Sequence, residues 1–349
     1  MAKEKFPEHT VCYFPLDFTW AVKRALARIR PSAVVLVELE LWPNFILAAS
    51  RMGIPLVLAN GRISERSFRG YRRIKPLMRS LLTRFHHLGA QNETYAARLV
   101  ALGAVAESVT VTGSIKFDHI ETDRQNSQTR TLRKAFGLRS DEPVFIAGST
   151  QAPEEQYAID AWQEATKTHP RLRLILVPRH KERFEEVASL VMRLGLPLVR
   201  RSDVSSGTSG DDSASQRTPV LLLDTLGELS ACWGLADVAF VGGSLTKRGG
   251  QNMIEPAAYG AAVLFGPNTW NFRNVVELLL DEAAASVVAD ADTLTRKVGE
   301  LLDDPIKAQA QGQIAQRLVL AQQGATARTV DLVIDALPGV MGRKRRRAA

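Results

Sequence analysis

VGGSLTKRGGQNMIEPAAYGAAVLFGPNTWNFRN, Val241 to Asn274, is the stretch that decides the fold. The apolar run Val238-Ala239-Phe240-Val241 leading into it reads as a buried strand. That strand ends in Gly242-Gly243, and a second pair, Gly249-Gly250, follows. Glycines at a strand end let backbone N–H groups approach a ligand closely. Asn252 to Pro256 is expected to start a helix, and helix N-termini favour anions. A second strand, Ala262 to Phe265, ends in Gly266-Pro267. Two successive strands therefore stop at polar, Gly-rich edges, where ligands sit in open α/β sheets. Glu255 is a carboxylate suited to a ribose diol. The alternative is a generic Gly-rich βα turn.

The same pattern recurs towards the N-terminus. Strand Val220 to Leu223 runs into Gly227-Glu228-Leu229, a second expected helix start. Strand Leu172 to Val177 delivers Pro178-Arg179-His180, and a guanidinium there suits a phosphate, although a structural ion pair would place it equally well. Strand Val144 to Ala147 ends in Gly148-Ser149-Thr150 before the acidic helix start Glu154-Glu155. In the first half, Ala33 to Val37 reads as a buried strand feeding Glu38-Leu39-Glu40. Continued extension would put Glu38 and Glu40 on one face, as catalytic groups or as Arg-paired structural acids. Strand Val109 to Val111 leads to Lys116, which either meets negative charge or is an ordinary surface lysine. Thr10 to Phe14 is expected to add a strand, and Met1 to His9 to fray.

Length and composition agree with two α/β domains. The chain has 349 residues, 45% hydrophobic and 23% charged, with a net charge of +8 and a pI of about 9.6. That balance points to an acidic partner. Two distant cysteines, Cys12 and Cys232, argue against a disulfide framework or a Cys metal site. No apolar run has transmembrane length. Arg62 to Arg84 carries eight Lys or Arg residues against one acid, Glu65, with Phe68, Tyr71, Leu77, Leu81 and Phe85 interleaved. Pro76 should split it into two helical pieces. Such a stretch suits an anionic membrane surface or ligand, or is a solvated helix face. No nucleic-acid motif accompanies it, so nucleic acid is not expected as a partner. His119 to Arg130 is expected as the interdomain linker, Asp203 to Thr218 as a disordered loop, and Gly342 to Ala349 as a basic tail.

The motifs VELELWPN, LANGRISERSFRGYRRI, AQNE, VTGSIKFD, GST, PRH, DTLGELS, ADVAFVGGSL, RGGQNMIEPAAYGAAVLFGP and NFRN run in order from Val37 to Asn274. Together they resemble the 3-deoxy-D-manno-octulosonic acid (Kdo) transferases of lipopolysaccharide synthesis. The resemblance implies an α/β GT-B glycosyltransferase: two Rossmann-like domains with parallel sheets, facing across a cleft. Its expected divisions are a partial acceptor-binding domain at 1–125, a CMP-sugar domain at 126–338 and a basic tail at 339–349. It implies CMP-Kdo as donor, a lipid A precursor (lipid IVA) as acceptor, inversion at the anomeric centre, and no cofactor or chelated metal. The expected place is the cytoplasmic face of the inner membrane, reached without a transmembrane segment in this chain.

Roles carry over by position. Pro178 and Arg179, then Gly227, Glu228 and Leu229, then Asn252, Met253, Ile254 and Glu255 match the family's donor contacts. Glu38 and Lys116 match its transition-state stabilisers, with Glu40 as the lesser alternative to Glu38. Gln251 stands where the family has His, Met253-Ile254 where it has Pro-Leu, and Gln151 where it has another His. The family's proposed general base lies on a motif upstream of anything in this sequence. The expectation is therefore an N-terminally incomplete relative with little or no transferase activity whose donor half still binds nucleotide, or a catalytically impaired CMP-sugar-binding remnant.

Overall fold

A computed structural model describes residues 2–204 and 218–339. The basic tail and all but the ends of the Asp203 to Thr218 loop lie outside the described residues. The chain divides into two compact units, residues 1–118 with 322–349, and residues 119–321. This corrects the expected boundary after residue 125. It also moves the last helix, Ala325–Ala336, into the first unit, where it packs on the sheet.

The first unit holds a parallel four-stranded sheet in the order β1 (Val34–Val37), β2 (Leu56–Gly61), β3 (His87–Ala90) and β4 (Val109–Val111). Helices Pro43–Arg51, Glu65–Arg73, Lys75–Leu82 and Glu93–Ala101 connect the strands. Ile46, Leu56, Leu58, Leu82 and Leu88 fill the core. The basic segment does split at Ile74, with Pro76 in the first turn of the second piece, where its missing N–H costs nothing. Two strand expectations are corrected. Thr10 to Phe14 forms no strand; Phe14 instead stacks on Phe45 and Trp42, with centroids 4.8 and 5.6 Å away. β1 is not buried: it is an edge strand, and Val35 and Val37 are 40% and 47% exposed. A continuous apolar run looks the same at a sheet edge as at its centre. The N-terminal stretch begins with a single helical turn, Ala2–Lys5.

The second unit holds seven parallel strands: β5 (Val144–Thr150), β6 (Arg173–Pro178), β7 (Leu198–Arg200), β8 (Val220–Leu222), β9 (Val238–Val241), β10 (Ala262–Phe265) and β11 (Ala285–Val287). Their order is β11-β10-β9-β5-β6-β8-β7. β11, a three-residue strand, is too short to show in the sequence pattern. β5, β6, β9 and β10 are buried throughout, as expected of a parallel sheet covered on both faces. The expected linker is shorter than its polar composition suggested, because Asn126 caps helix Ser127–Ala135 through Thr129 N. After β5 the chain turns to β6 on one side, and β9 lies on the other. That reversal puts a crevice at the carboxyl ends of β5 and β9, the usual ligand position in this fold class.

Candidate functional site

Polar groups from three separate segments come to the carboxyl edge of the second sheet, Asn252 and Ser230 hydrogen-bonding to Glu255 and Arg179 acting on it through its charge. Arg179 follows β6, and its N–H donates to Thr150 O at the end of β5 (3.0 Å). Ser230 lies in the one-turn helix Leu229–Cys232 that follows Gly227. Asn252 and Glu255 belong to the loop and short helix Ile254–Ala258 after β9. Asn252 Nδ2 donates to Glu255 Oε1 (2.8 Å), and Asn252 Oδ1 accepts from Ile254 N (3.1 Å). Burial pushes the Glu255 pKa up, while the Asn252 hydrogen bond, the Arg179 charge and a Ser230 hydrogen bond pull it down. The result is a half-buried carboxylate beside an exposed guanidinium. Such a pair can grip a diol with one member and a phosphate with the other.

Neighbouring groups brace these residues. Arg183 forms a forked pair with the buried Glu155, Nη2 to Oε2 being 3.2 Å, and so fixes the turn after Arg179. Pro178 closes β6 and is buried. The two expected helix starts are only four and five residues long, so they offer single turns and not long dipoles. The Glu228 carboxylate is already engaged by Thr225 Oγ1 and Arg201 Nη2, which leaves its backbone and that of Gly227 at the loop surface. Met253 and Ile254 are buried and serve as packing residues beneath the loop. A 730 Å³ cavity in this unit, lined by Arg124, Asp237, Tyr259 and Gln316 among others, shares none of these residues and lies by the amino ends of the strands.

The Gly242-Gly243 turn departs from expectation. Its amides do not face an open site. Glu154, fully buried, fills the position: Oε2 accepts from Gly243 N (2.7 Å) and Gln151 N (2.9 Å), and Oε1 from Ser244 N (3.0 Å) and Leu245 N (2.9 Å). Sequence alone read Glu154 as a helix-start acid. It does stand at the start of helix Glu154–Ala165 and accepts locally from Gln151 N, but its other three partners lie some 90 residues away, beyond the reach of local patterning.

In the first unit, Glu38 and Lys116 sit at the carboxyl edge of the other sheet. Glu38 adopts φ 61°, so the strand does not continue to Glu40 and the expected shared face is lost. A left-handed non-glycine residue at a strand end marks a locally imposed conformation. Glu38 N donates to Ala59 O (2.8 Å), and its Oε2 lies 3.4 Å from Arg62 Nε. Glu40 turns away and accepts from Trp42 Nε1 (2.9 Å). Lys116 lies in the turn Ile115–Phe117, which reaches back to β2 through Ile115 N to Asn60 Oδ1 (3.3 Å). Asn60 is also left-handed, φ 54°. Glu38 and the Lys116 turn are thus both tied to the end of β2. Arg328 on the last helix donates to Thr112 O (2.7 Å) behind the turn, a support that no sequence signal indicated.

Residues 1–119 match the family model described as 3-deoxy-D-manno-octulosonic-acid transferase (kdotransferase). The 3-deoxy-D-manno-octulosonic acid transferase of Bordetella pertussis is 37% identical over 328 residues, covering 93% of this chain and 74% of that protein. This chain belongs to the Kdo transferase family. The Haemophilus influenzae member is 33% identical over 326 residues, covering 92% of this chain and 73% of its own length. A crystal structure of a glycosyltransferase from Rickettsia africae superposes with a TM-score of 0.56 at 11% identity, covering 95% of this chain and 86% of that one, a likeness of fold. The Kdo transferase is accordingly an α/β enzyme of the GT-B class that transfers Kdo. No described helix is long and apolar enough to cross a membrane.

Proposed function

We propose that this Kdo transferase moves Kdo from CMP-Kdo to a lipid A precursor, with inversion at the anomeric carbon. The observation that carries the donor reading is the meeting of Arg179, Ser230, Asn252 and Glu255. Arg179 takes the cytidylate phosphate, with the backbone around Gly227 to Leu229 beside it. Glu255, held by Asn252, accepts from the ribose hydroxyls. Pro178, Met253 and Ile254 shape the backbone that carries these groups.

Departure of CMP leaves positive charge building on the sugar and negative charge on the phosphate. Glu38 stabilises the first and Lys116 the second, as groups held at the edge of the first unit's sheet. The Arg62 ion pair, Nε to Oε2 3.4 Å, orients Glu38 for that stabilising role. The basic face of helices Glu65–Arg73 and Lys75–Leu82, with Arg69, Arg72 and Arg73 exposed, meets acceptor phosphates and anionic lipid at the inner membrane. The donor is the only small molecule the proposal requires.

The test is a transfer assay with CMP-Kdo and lipid IVA, following CMP release and the mass of the lipid product. Transfer that falls at least 100-fold in both Glu38→Gln and Lys116→Ala, with CMP affinity kept, supports the assignment. CMP binding without any transfer by the natural chain would leave a CMP-sugar-binding protein and refute the catalytic half.

A further inference from the structure

We infer that Glu154 is a specificity-determining residue that makes the donor pocket a site for one phosphate. The inference rests on the donor reading above and adds a residue to it. In doubly wound folds the anion site lies at the switch point, where a Gly-rich turn and a helix start present successive N–H groups. Here the switch point is the crevice between β5 and β9, and the helix is Glu154–Ala165. The N–H groups of Gly243, Ser244 and Leu245 do converge, as an anion-binding nest would. What they converge on is the chain's own carboxylate.

The geometry also sets the charge state. Each Glu154 oxygen accepts two backbone N–H groups, counting Gln151 N. All four lone-pair positions are filled, so no place remains for a proton and the ionised form is the one that fits. Burial pushes the Glu154 pKa above the ordinary carboxylate value, and the hydrogen bonds from Gly243, Gln151, Leu245 and Ser244 pull it back only in part. The amide donors at the position a second phosphate would seek are therefore already taken by Glu154.

The space around it is equally committed. A methyl group on Gly242 would lie 2.6 Å from Thr150 Cα and 2.8 Å from both Ser149 O and Glu154 Oε2. The turn is thus packed tightly onto the end of β5. Gly250 N donates back to Gly243 O (2.9 Å), closing the loop that leads to Asn252. The backbone N–H of Arg179 donates to Thr150 O beside this turn, so the exposed Arg179 side chain starts from the neighbouring strand end and is left to hold a phosphate outside the nest. One phosphate can use it; a second, reaching towards the nest, meets a carboxyl group already holding the amides and no free donor.

The experiment is calorimetric binding of CMP and CDP to the natural chain and to Glu154→Gln and Glu154→Ala. The expected result is at least tenfold tighter binding of CMP than of CDP by the natural chain. In Glu154→Ala, which frees the nest, that ratio should shrink at least fivefold, and Glu154→Gln should fall between. CDP binding as tight as CMP in the natural chain overturns the inference and leaves the donor reading intact. An unchanged ratio in both folded variants overturns it too. If both variants fail to fold, the natural chain's ratio decides alone. Absence of any CMP binding would instead refute the donor reading itself.

Discussion

Replacing Arg179 by Ala tests how the donor site divides its labour. A charge-assisted hydrogen bond contributes about 1.5–3 kcal/mol. Arg179 is exposed, so water screens it and the lower half of that range applies. About 1.5–2 kcal/mol corresponds to a roughly 10–30-fold weaker Kd for CMP. A second effect follows from Glu255. Burial raises its pKa, and the Arg179 charge is one of the groups that hold it down. Without Arg179 the pKa climbs further. Ribose recognition needs the ionised carboxylate, so CMP affinity falls as pH drops through that pKa. In Arg179→Ala the fall should begin at a higher pH than in the natural chain. Arg179→Lys keeps the charge but not the planar fork, and should restore the pH profile with only part of the affinity. Calorimetry between pH 5 and 8 reads both quantities. A Kd within twofold of the natural value in both Arg179→Ala and Glu255→Ala would refute the site. A pH profile displaced downwards would refute the coupling.

Other substitutions probe the supports. Gly242→Ala forces a methyl group against backbone at 2.6 Å, and overpacking of this kind costs about 1–3 kcal/mol; a thermal scan should show a melting temperature lower by several degrees and weaker CMP binding, whereas an unchanged scan would mean that the turn has room. Asp118 accepts from Gly324 N and Thr326 N at the start of the last helix. Burial works to raise its pKa, and the hydrogen bonds from Thr326, Gly324 and Ala325 overcome it, so it titrates below the ordinary aspartate range. Its stabilising contribution is full above that ordinary value and is lost as pH falls through the lowered pKa; hydrogen exchange in helix Ala325–Ala336 should quicken in acid, and in Asp118→Asn already at neutral pH. Each exposed basic residue near an anionic bilayer contributes roughly 1 kcal/mol, screened by salt. Reversing Arg72 and Arg73 to Glu should therefore abolish liposome co-sedimentation, and binding indifferent to both salt and reversal would reduce the segment to a solvated face.

The alternation of apolar runs with helical spacings determined most of the fold by itself. Each buried strand of the second unit announced itself as an apolar run ending in a polar turn, because a parallel strand covered on both faces leaves no polar position inside it. Arg179 and Lys116 stand out in the sequence for a related reason: each is the first charged group beyond a strand run or its turn, whereas Glu255 is preceded by Lys247 and Arg248 and stands out as the acid at an expected helix start. What the sequence left open is what depends on distant segments. Val35 and Val37 read as core, yet no strand lies beyond β1 among the described residues to cover them. Glu38 and Glu40 read as neighbours on one face, but a left-handed residue at Glu38 ends the alternation. The nest after β9 read as open, and only the fold brings Glu154 from the neighbouring strand's helix to fill it. Ser230 joins Glu255 for the same reason. Local periodicity reports which face of an element is apolar. Which groups share a hydrogen bond across some 20 to 90 residues is decided by the sheet order and the turns that place the strand ends side by side.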